Sequence, residues 1–434
     1  MMQTMKYWNE YNGHVPEILG KRKFYDNTIY TFDIETTSFL ILNNKMIPAC
    51  DYLKLTKEEQ EESLFMSNMY IWMFSINEQV YYGRTWSELR AFLLRIEYYG
   101  TYEKKFVYVH NLPYEFEFLR NCLKFKNVFA RKCRKPMRFE LDEFNFEFRC
   151  SLVLTNSKLE KLPHDYGFED KVKKLTGNLN YDLIRNSKTI LNEDELKYCE
   201  NDCLVIYEYI KKELETYGTM KGIPLTNTGH VRKELKEKTM TNYPYRNKVR
   251  KSINTDGHIY NLLLKAFQGG YTHANWIYAS TVINGDVDSW DFTSSYPYVM
   301  ATFKFPSTKF KPLKIKKKEQ MIKEFAYLIH VKFFNIECKY FNNFISASKC
   351  INIKKGKYDN GRVMRADEIE IVLTDVDFNF ICKSYGVTDN YEFIEVYYSV
   401  YDYLPIDFVN FVLEKYKNKT KYKNVPGMES VYRN

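Results

Sequence analysis

Two acids, Asp33 and Glu35, sit in the apolar stretch Tyr30-Thr31-Phe32-Asp33-Ile34-Glu35-Thr36-Thr37. The stretch reads as a short buried strand, and residues two apart in a strand share a face. Two carboxylates on one face of an apolar strand repel each other and lose hydration. A divalent cation repays that cost. The plain alternative is a strand end with two solvated acids, and two further segments decide against it. In His110-Asn111-Leu112-Pro113-Tyr114-Glu115, Asn111 suits a helix cap and Pro113 a first helical turn. Glu115 then lies at the C-terminal edge of the preceding strand, where ligands bind in open α/β sheets. Complementing a helix dipole is the plain alternative for Glu115 and the better one for Glu117. The third segment, Asp194–Ile206, is helical, with Tyr198 and Asp202 four apart on one face. Leu196, Cys199, Cys203 and Ile206 form its apolar stripe. Four carboxylates (Asp33, Glu35, Glu115, Asp202) and one phenol (Tyr198) are what two-metal phosphodiester cleavage needs, with Mg²⁺ or Mn²⁺ as the ions.

The elements that must position these groups follow from periodicity. Strands are expected over 29–35, 69–76, 79–82 and 105–110, with a turn at Asn77-Glu78, and a helix over Trp86–Glu97. The order strand, hairpin, helix, strand is that of a mixed α/β sheet. The Lys/Glu-rich segment 53–64 reads as a surface helix or loop. A basic cluster, Lys124, Lys126, Arg131, Lys132, Arg134, Lys135 and Arg138, reads either as a solvated hairpin or as a nucleic-acid flank. Phe144–Leu154 alternates like a strand through Cys150-Ser151-Leu152. From 302 to about 400, short aromatic strands alternate with Lys-rich loops, and Leu404–Lys423 reads as a helix with a basic tail.

Composition bounds the partners. The 434 residues carry a formal charge of +9, which favours a polyanionic partner. With 45% hydrophobic and 17% aromatic residues, the chain can bury two or three domain cores. Nine scattered cysteines without a C-x-x-C pair exclude a zinc ribbon and fit a reduced, intracellular compartment. No apolar run approaches the length of a membrane span, and Met1–Gly20 has no signal-peptide core.

Together these segments resemble the three exonuclease motifs of family B DNA polymerases, in that family's order. They are D-x-E at Asp33 and Glu35, N-x-x-aromatic-acid at Asn111, Tyr114 and Glu115, and Y-x-x-x-D at Tyr198 and Asp202. Glu115 stands where the commonest form has Asp. The family's lysine near the third motif has its nearest counterpart in Lys174, ahead of Gly177-Asn178-Leu179-Asn180-Tyr181. Ala266-Phe267-Gln268-Gly269-Gly270-Tyr271 is similar to the family's Y-x-G-G element, with Phe267 in place of its Tyr. Trp290-Asp291-Phe292-Thr293-Ser294-Ser295-Tyr296-Pro297 resembles its D-x-x-S-h-Y-P polymerase motif. Asp286-Val287-Asp288-Ser289 looks like the family's D-T-D-S motif but precedes Asp291, so it reads as a loop leading into a strand.

The resemblance implies an RNase H-like mixed-sheet exonuclease domain followed by an α+β partial palm with an inserted subdomain. Its boundaries would be 1–28 extension, 29–217 exonuclease, 218–301 palm, 302–400 terminal-protein-region-like insertion and 401–434 start of fingers. It implies Asp291 as a further metal ligand and Ser294, Ser295 and Tyr296 as nucleotide contacts. Asn111, Tyr114, Ser151, Leu152, Gly269 and Gly270 would touch DNA. The implied protein is a protein-primed, phage-type polymerase with 3′→5′ proofreading, two metal ions per site, and DNA, dNTPs and a terminal-protein primer as partners. The 143 residues after Asp291 contain no fingers motif and no second palm carboxylates, so polymerisation is expected to need a C-terminal polymerase fragment. A free-standing 3′→5′ exonuclease, or a non-catalytic DNA-binding subunit of a split polymerase, is the alternative.

Overall fold

The computed structural model describes residues 5–14, 26–99, 103–172, 183–241, 246–247, 250–251, 255–274, 276–340, 342–423 and 425. Lys174 and the 177–181 stretch lie outside them. Two compact units form: Met1–Glu234 with Lys417–Asn434, and Leu235–Tyr416.

The first unit is built on a nine-stranded mixed sheet. Its strands are β1 (Lys6–Tyr7), β2 (Tyr30–Leu42), β3 (Lys45–Pro48), β4 (Leu64–Ile76), β5 (Gln79–Gly83), β6 (Lys105–Val109), β7 (Phe125–Lys132), β8 (Lys135–Leu141) and β9 (Phe146–Cys150). They are ordered β1-β5-β4-β2-β6-β9-β8-β7, with β3 on β2. The helices are α1 (Lys57–Glu62), α2 (Trp86–Tyr99), α3 (Leu112–Leu119), α4 (Ser151–Thr155), α5 (Leu162–Tyr166) and α6 (Glu193–Tyr217).

β2 is longer than its sequence signal, and a register shift between Glu35 and Thr36 interrupts its pairing with β4. Its alternation decides the layers. Tyr30, Phe32 and Ile34 enter an aromatic core with Trp72, Phe74, Phe92, Phe146 and Phe148. Thr31 on the other face bonds Ser75 Oγ at 2.6 Å and donates to the Cys203 carbonyl of α6 at 3.2 Å. Asp33 and Glu35 share that face with Thr31 and so meet α6.

α6 begins in a capping box: Asn192 Oδ1 accepts from the Glu195 N–H at 2.8 Å, and Glu195 accepts from the Asn192 N–H at 2.9 Å. Glu195 also pairs with the buried Arg185 at 2.6 Å. The Arg185 N–H donates to Thr37 Oγ1 of β2 at 3.3 Å. The start of α6 is thereby tied to the strand it crosses.

Several boundaries differ from the sequence reading. Residues 5–14 are not a mere extension: β1 pairs in parallel with β5, and Tyr11 is fully buried. Phe146–Cys150 is buried on both faces, as suits a strand inside the sheet, and the chain turns into α4 at Ser151 instead of continuing as strand. The unit ends at Glu234, not at Tyr217. Met220 and Ile223 are buried, and Arg149 Nη1 donates to both their carbonyls, at 3.2 and 3.4 Å.

The second unit carries helices α7 (Gly257–Ala266), α8 (Ser295–Thr302) and α9 (Asp375–Tyr385). Its seven-stranded antiparallel sheet comprises β10 (Lys304–Pro306), β11 (Lys311–Pro312), β12 (Phe325–Glu337), β13 (Asn352–Lys354), β14 (Lys357–Asp359), β15 (Arg362–Thr374) and β16 (Tyr391–Tyr403). Three strands run 13 residues each, where short ones were expected. Charges on their open positions broke the hydrophobic signal, yet these charges pair across the sheet, as in His330–Glu370 at 2.9 Å and Lys354–Glu368 at 2.7 Å. α9, unforeseen, stacks Phe378 on Phe333 of β12. The predicted C-terminal helix forms over Ile406–Lys421. Among the described residues no helix is long and apolar enough to cross a membrane.

The Arg185–Glu195 bridge yields a test. Removing one partner of a buried pair leaves an uncompensated charge, so Arg185→Met should lower stability by about 3 kcal/mol in urea denaturation. An unchanged midpoint would show that the bridge contributes nothing to holding α6.

Candidate metal centre

One carboxylate oxygen from each of Asp33, Glu35 and Asp202 lies within 4.8 Å of the other two. β2 supplies the first two, half-buried, and α6 supplies the third, buried. β2 runs parallel to β6 with Thr31 level with Tyr108, which brings Asp33 level with the turn at His110. α3 starts at that turn, and its first-turn residue Glu115 is only 3% exposed. Asn111 occupies the cap position but in the left-handed conformation (φ 69°), without a side-chain cap bond. The sequence expectation of an Asn side-chain cap is therefore corrected; an Asn side chain tolerates this backbone region well.

The electrostatics are those of crowded acids. Burial, then Asp202, Glu35 and Glu115, hold the Asp33 carboxyl well above the usual range. Glu115 is pushed up to about 8 by burial and, to a lesser degree, by Glu35, against the opposing pull of a backbone N–H. Its Oε2 is buried with no hydrogen-bond partner among the described residues. A divalent cation fits this donor set: hard oxygen ligands, excess negative charge and an unsatisfied carboxylate oxygen. Glu117, half-buried, pairs with Arg120 at 3.2 Å through one carboxylate oxygen, while its Oε1 is buried with no hydrogen-bond partner among the described residues.

The remaining expected groups surround this cluster unevenly. Tyr198, one turn before Asp202, packs partly buried beside Cys199 and Cys203. Tyr114 keeps 43% of its surface exposed, and its phenol shares a hydrogen bond with Thr36 Oγ1. Ser151 is fully buried and bonds His110 Nδ1 at 3.1 Å, while Leu152 is partly buried against the main core. All nine cysteines are free thiols. Arg185, Glu195 and Thr36 were missed in the sequence. The Asn192-x-x-Glu195 box was a readable signal for Glu195; Thr36 and Arg185 carried none.

In the second unit, Asp291 is exposed and joins no acidic cluster among the described residues. The strand into which Asp286–Ser289 was expected to lead is not found among the described residues; Trp290 and Phe292 are 90% and 88% exposed. Asp286 and Asp288 are exposed loop residues, as read. Ser294 precedes α8 in the left-handed conformation (φ 59°), Ser295 opens that helix and Tyr296 is 75% exposed. Gly269 (φ 73°) and Gly270 border a cavity of about 540 Å³ with Tyr271, Lys349, Arg362 and Phe380.

The raised Glu115 pKa has a definite sign. The folded chain binds this proton more tightly than the unfolded chain, so stability falls as pH rises from 4.5 to about 8. Each unit of that offset is worth about 1.4 kcal/mol. Glu115→Gln should therefore raise the melting temperature at pH 8 in EDTA by several degrees, and Mn²⁺ should stabilise the variant less than the parent. A variant melting below the parent in EDTA would give Glu115 a stabilising role instead.

Comparison with known proteins adds family and fold. No curated protein sequence matches the chain. Its structure is similar to phi29 DNA polymerase complexed with primer-template DNA (TM-score 0.64, 14% identity). It is also similar to that polymerase complexed with single-stranded DNA (0.64, 15%) and with primer-template DNA and incoming nucleotides (0.61, 16%). Each match covers 94% of this chain and 66% of the phi29 chain. Residues 164–433, more than half of the chain, match the family model for DNA polymerase type B, organellar and viral. The chain therefore belongs to the organellar and viral type B DNA polymerases.

Proposed function

We propose that the unit Met1–Glu234 is a metal-dependent 3′→5′ exonuclease acting on DNA, within a protein-primed polymerase whose first nucleotide-site motif lies around Asp291. One observation carries the nuclease reading: the oxygens of Asp33, Glu35 and Asp202 converge within 4.8 Å, beside a buried Glu115 oxygen without a hydrogen-bond partner among the described residues. Mg²⁺ or Mn²⁺, when bound there, would supply positive charge to the attacking and leaving oxygens of phosphodiester hydrolysis. Asp33, Glu35, Asp202 and Glu115 would hold the ions. Tyr198, on the same α6 face as Asp202, orients the attacking water through its phenol. The half-exposed ring of Tyr114 stacks on the terminal base, next to Glu115 in α3. Asn111, exposed, and Leu152, partly buried, at the same sheet end, line the path of the strand; Ser151, fully buried, supports it from beneath through His110.

DNA as substrate is supported by family membership and by the bound single-stranded and primer-template DNA of the phi29 structures. The second unit would contribute Asp291 as metal ligand, Ser294, Ser295 and Tyr296 to a nucleotide, and Gly269 and Gly270 to the template. Its sheet would be the terminal-protein-region-like insertion. Nucleotide addition needs carboxylates from two strands, and these 434 residues offer only Asp291 in a polymerase motif. Extension would then require further residues supplied by a C-terminal polymerase segment.

The purified chain with Mg²⁺ or Mn²⁺ should shorten 5′-labelled single-stranded DNA from its 3′ end. Asp33→Ala with Glu35→Ala should reduce the rate by about a thousandfold or more, since these are the groups that hold the metal ions. Unchanged cleavage in the double variant would overturn the nuclease reading. The same preparation should not extend a primer until a chain carrying the missing motifs is added, and extension should then be lost in Asp291→Ala. Templated incorporation by the 434-residue chain alone would overturn the reading of the second unit.

A further inference from the structure

The structure sorts the seven cations of the 124–138 segment into two sets. At the base of the β7–β8 hairpin, Lys124 pairs with Glu143 at 3.9 Å and Lys126 with Asp142 at 3.9 Å. Arg138 pairs with Glu140 and Glu147, each at 3.5 Å. At the tip, Arg131, Lys132, Arg134 and Lys135 are all exposed, and no acid pairs with them among the described residues. Lys132 stands opposite Lys135 in the ladder. Like charges directly opposed destabilise a hairpin unless something anionic covers them. Lower on β7, level with Arg138, Phe129 is 50% exposed, and Val128 beside it is 46% exposed.

The strand directions place this tip relative to the acids. β9 is parallel to β6, with Cys150 level with Val109. β8 is antiparallel to β9, with Arg138 level with Arg149. Following β8 backwards from Arg138 therefore leads past the C-terminal end of β9. The hairpin projects about four residues, roughly 13 Å, beyond it. That is the end of the sheet at which α3, Glu115 and the Asp33 cluster lie. The hairpin base is also packed on α3, through Phe116 against Phe125 and Phe139.

We propose that the β7–β8 hairpin grips the single strand whose 3′ end enters the carboxylate centre, with Arg131, Lys132, Arg134 and Lys135 of its tip on the phosphates and Phe129, lower on β7, against a base. This rests on the nuclease reading of that centre. Charges on an edge strand also guard against edge-to-edge pairing, and that role alone would leave DNA binding untouched.

The test uses the whole chain and the variant Arg131→Ser, Lys132→Ser, Arg134→Ser, Lys135→Ser. Binding of a labelled oligothymidylate is measured in EDTA against salt. The slope of log affinity against log salt should become shallower by about 3, four cations at roughly 0.7 each, with about a hundredfold weaker binding at low salt. Phe129→Ala should weaken binding about tenfold with the slope unchanged. With Mn²⁺, KM for the oligonucleotide should rise in the variant at unchanged kcat. Hydrolysis of the p-nitrophenyl ester of thymidine 5′-monophosphate, too small to reach the tip, should stay at the parent rate. A variant that binds the oligonucleotide with the parent's affinity and slope, whether or not it aggregates, overturns the inference. So does a variant that loses ester hydrolysis in step with binding, because the centre itself would then be disturbed. Failure of the parent to hydrolyse either substrate would instead defeat the nuclease reading, and the binding arm would still judge the tip.

Discussion

Crowding of like charge where α6 crosses the central strand β2 is the constraint around which the first unit is arranged. Asp33, Glu35 and Asp202 approach within 4.8 Å, and Glu115 is buried beside them. A fold assembled only for stability would not bring these groups together, since each loses water and repels its neighbours. The rest of the unit opposes that repulsion. The aromatic face of β2 anchors the strand in a core of Phe and Trp side chains, and the Arg185–Glu195 bridge and the Asn192 capping box fix the start of α6. The carboxylates are then held in place whether or not a cation neutralises them, which is the pre-organisation a metal site requires.

The two units use the same strand alternation for different ends. In β2, the face opposite the core is polar and covered by a helix that brings a third acid. In β12 and β15, both faces are covered by helices: Leu328 and Val372 join Ile259 and Leu262 of α7, while Phe333 lies under Phe378 of α9. Charged side chains there are consumed in pairs across the sheet, so the second sheet reads as scaffold. The exposed segment around Asp291 and the glycines at the small cavity are its chemically distinctive parts.

Similarity to phi29 DNA polymerase at 14–16% identity speaks for the fold, and the family match over residues 164–433 for the lineage. Neither assigns a role to a side chain. The chain spans 66% of the phi29 chain, so activity of a whole polymerase is a proposal resting on the motifs and on the site.

The sequence by itself offered the residues of the candidate centre, of which the structure brings Asp33, Glu35 and Asp202 together. D-x-E on an apolar strand, an acid in the first turn after a strand, and Y-x-x-x-D on an amphipathic helix are local patterns, and local periodicity dictates which face each residue takes. It also located the C-terminal helix, read over Leu404–Lys423 and formed over Ile406–Lys421. Long-range pairing was beyond it. The three 13-residue strands read as short because charges on their open positions find partners only across the sheet. The first unit's limit at Glu234 depends on Arg149 reaching the carbonyls of Met220 and Ile223, over 70 positions later in the chain. The convergence of Asp202 with Asp33 and Glu35 was likewise settled only when α6 crossed β2. Which cations at the β7–β8 hairpin stay unneutralised was decided the same way. Burial and ion pairing belong to neighbours in space, and sequence spacing does not record them.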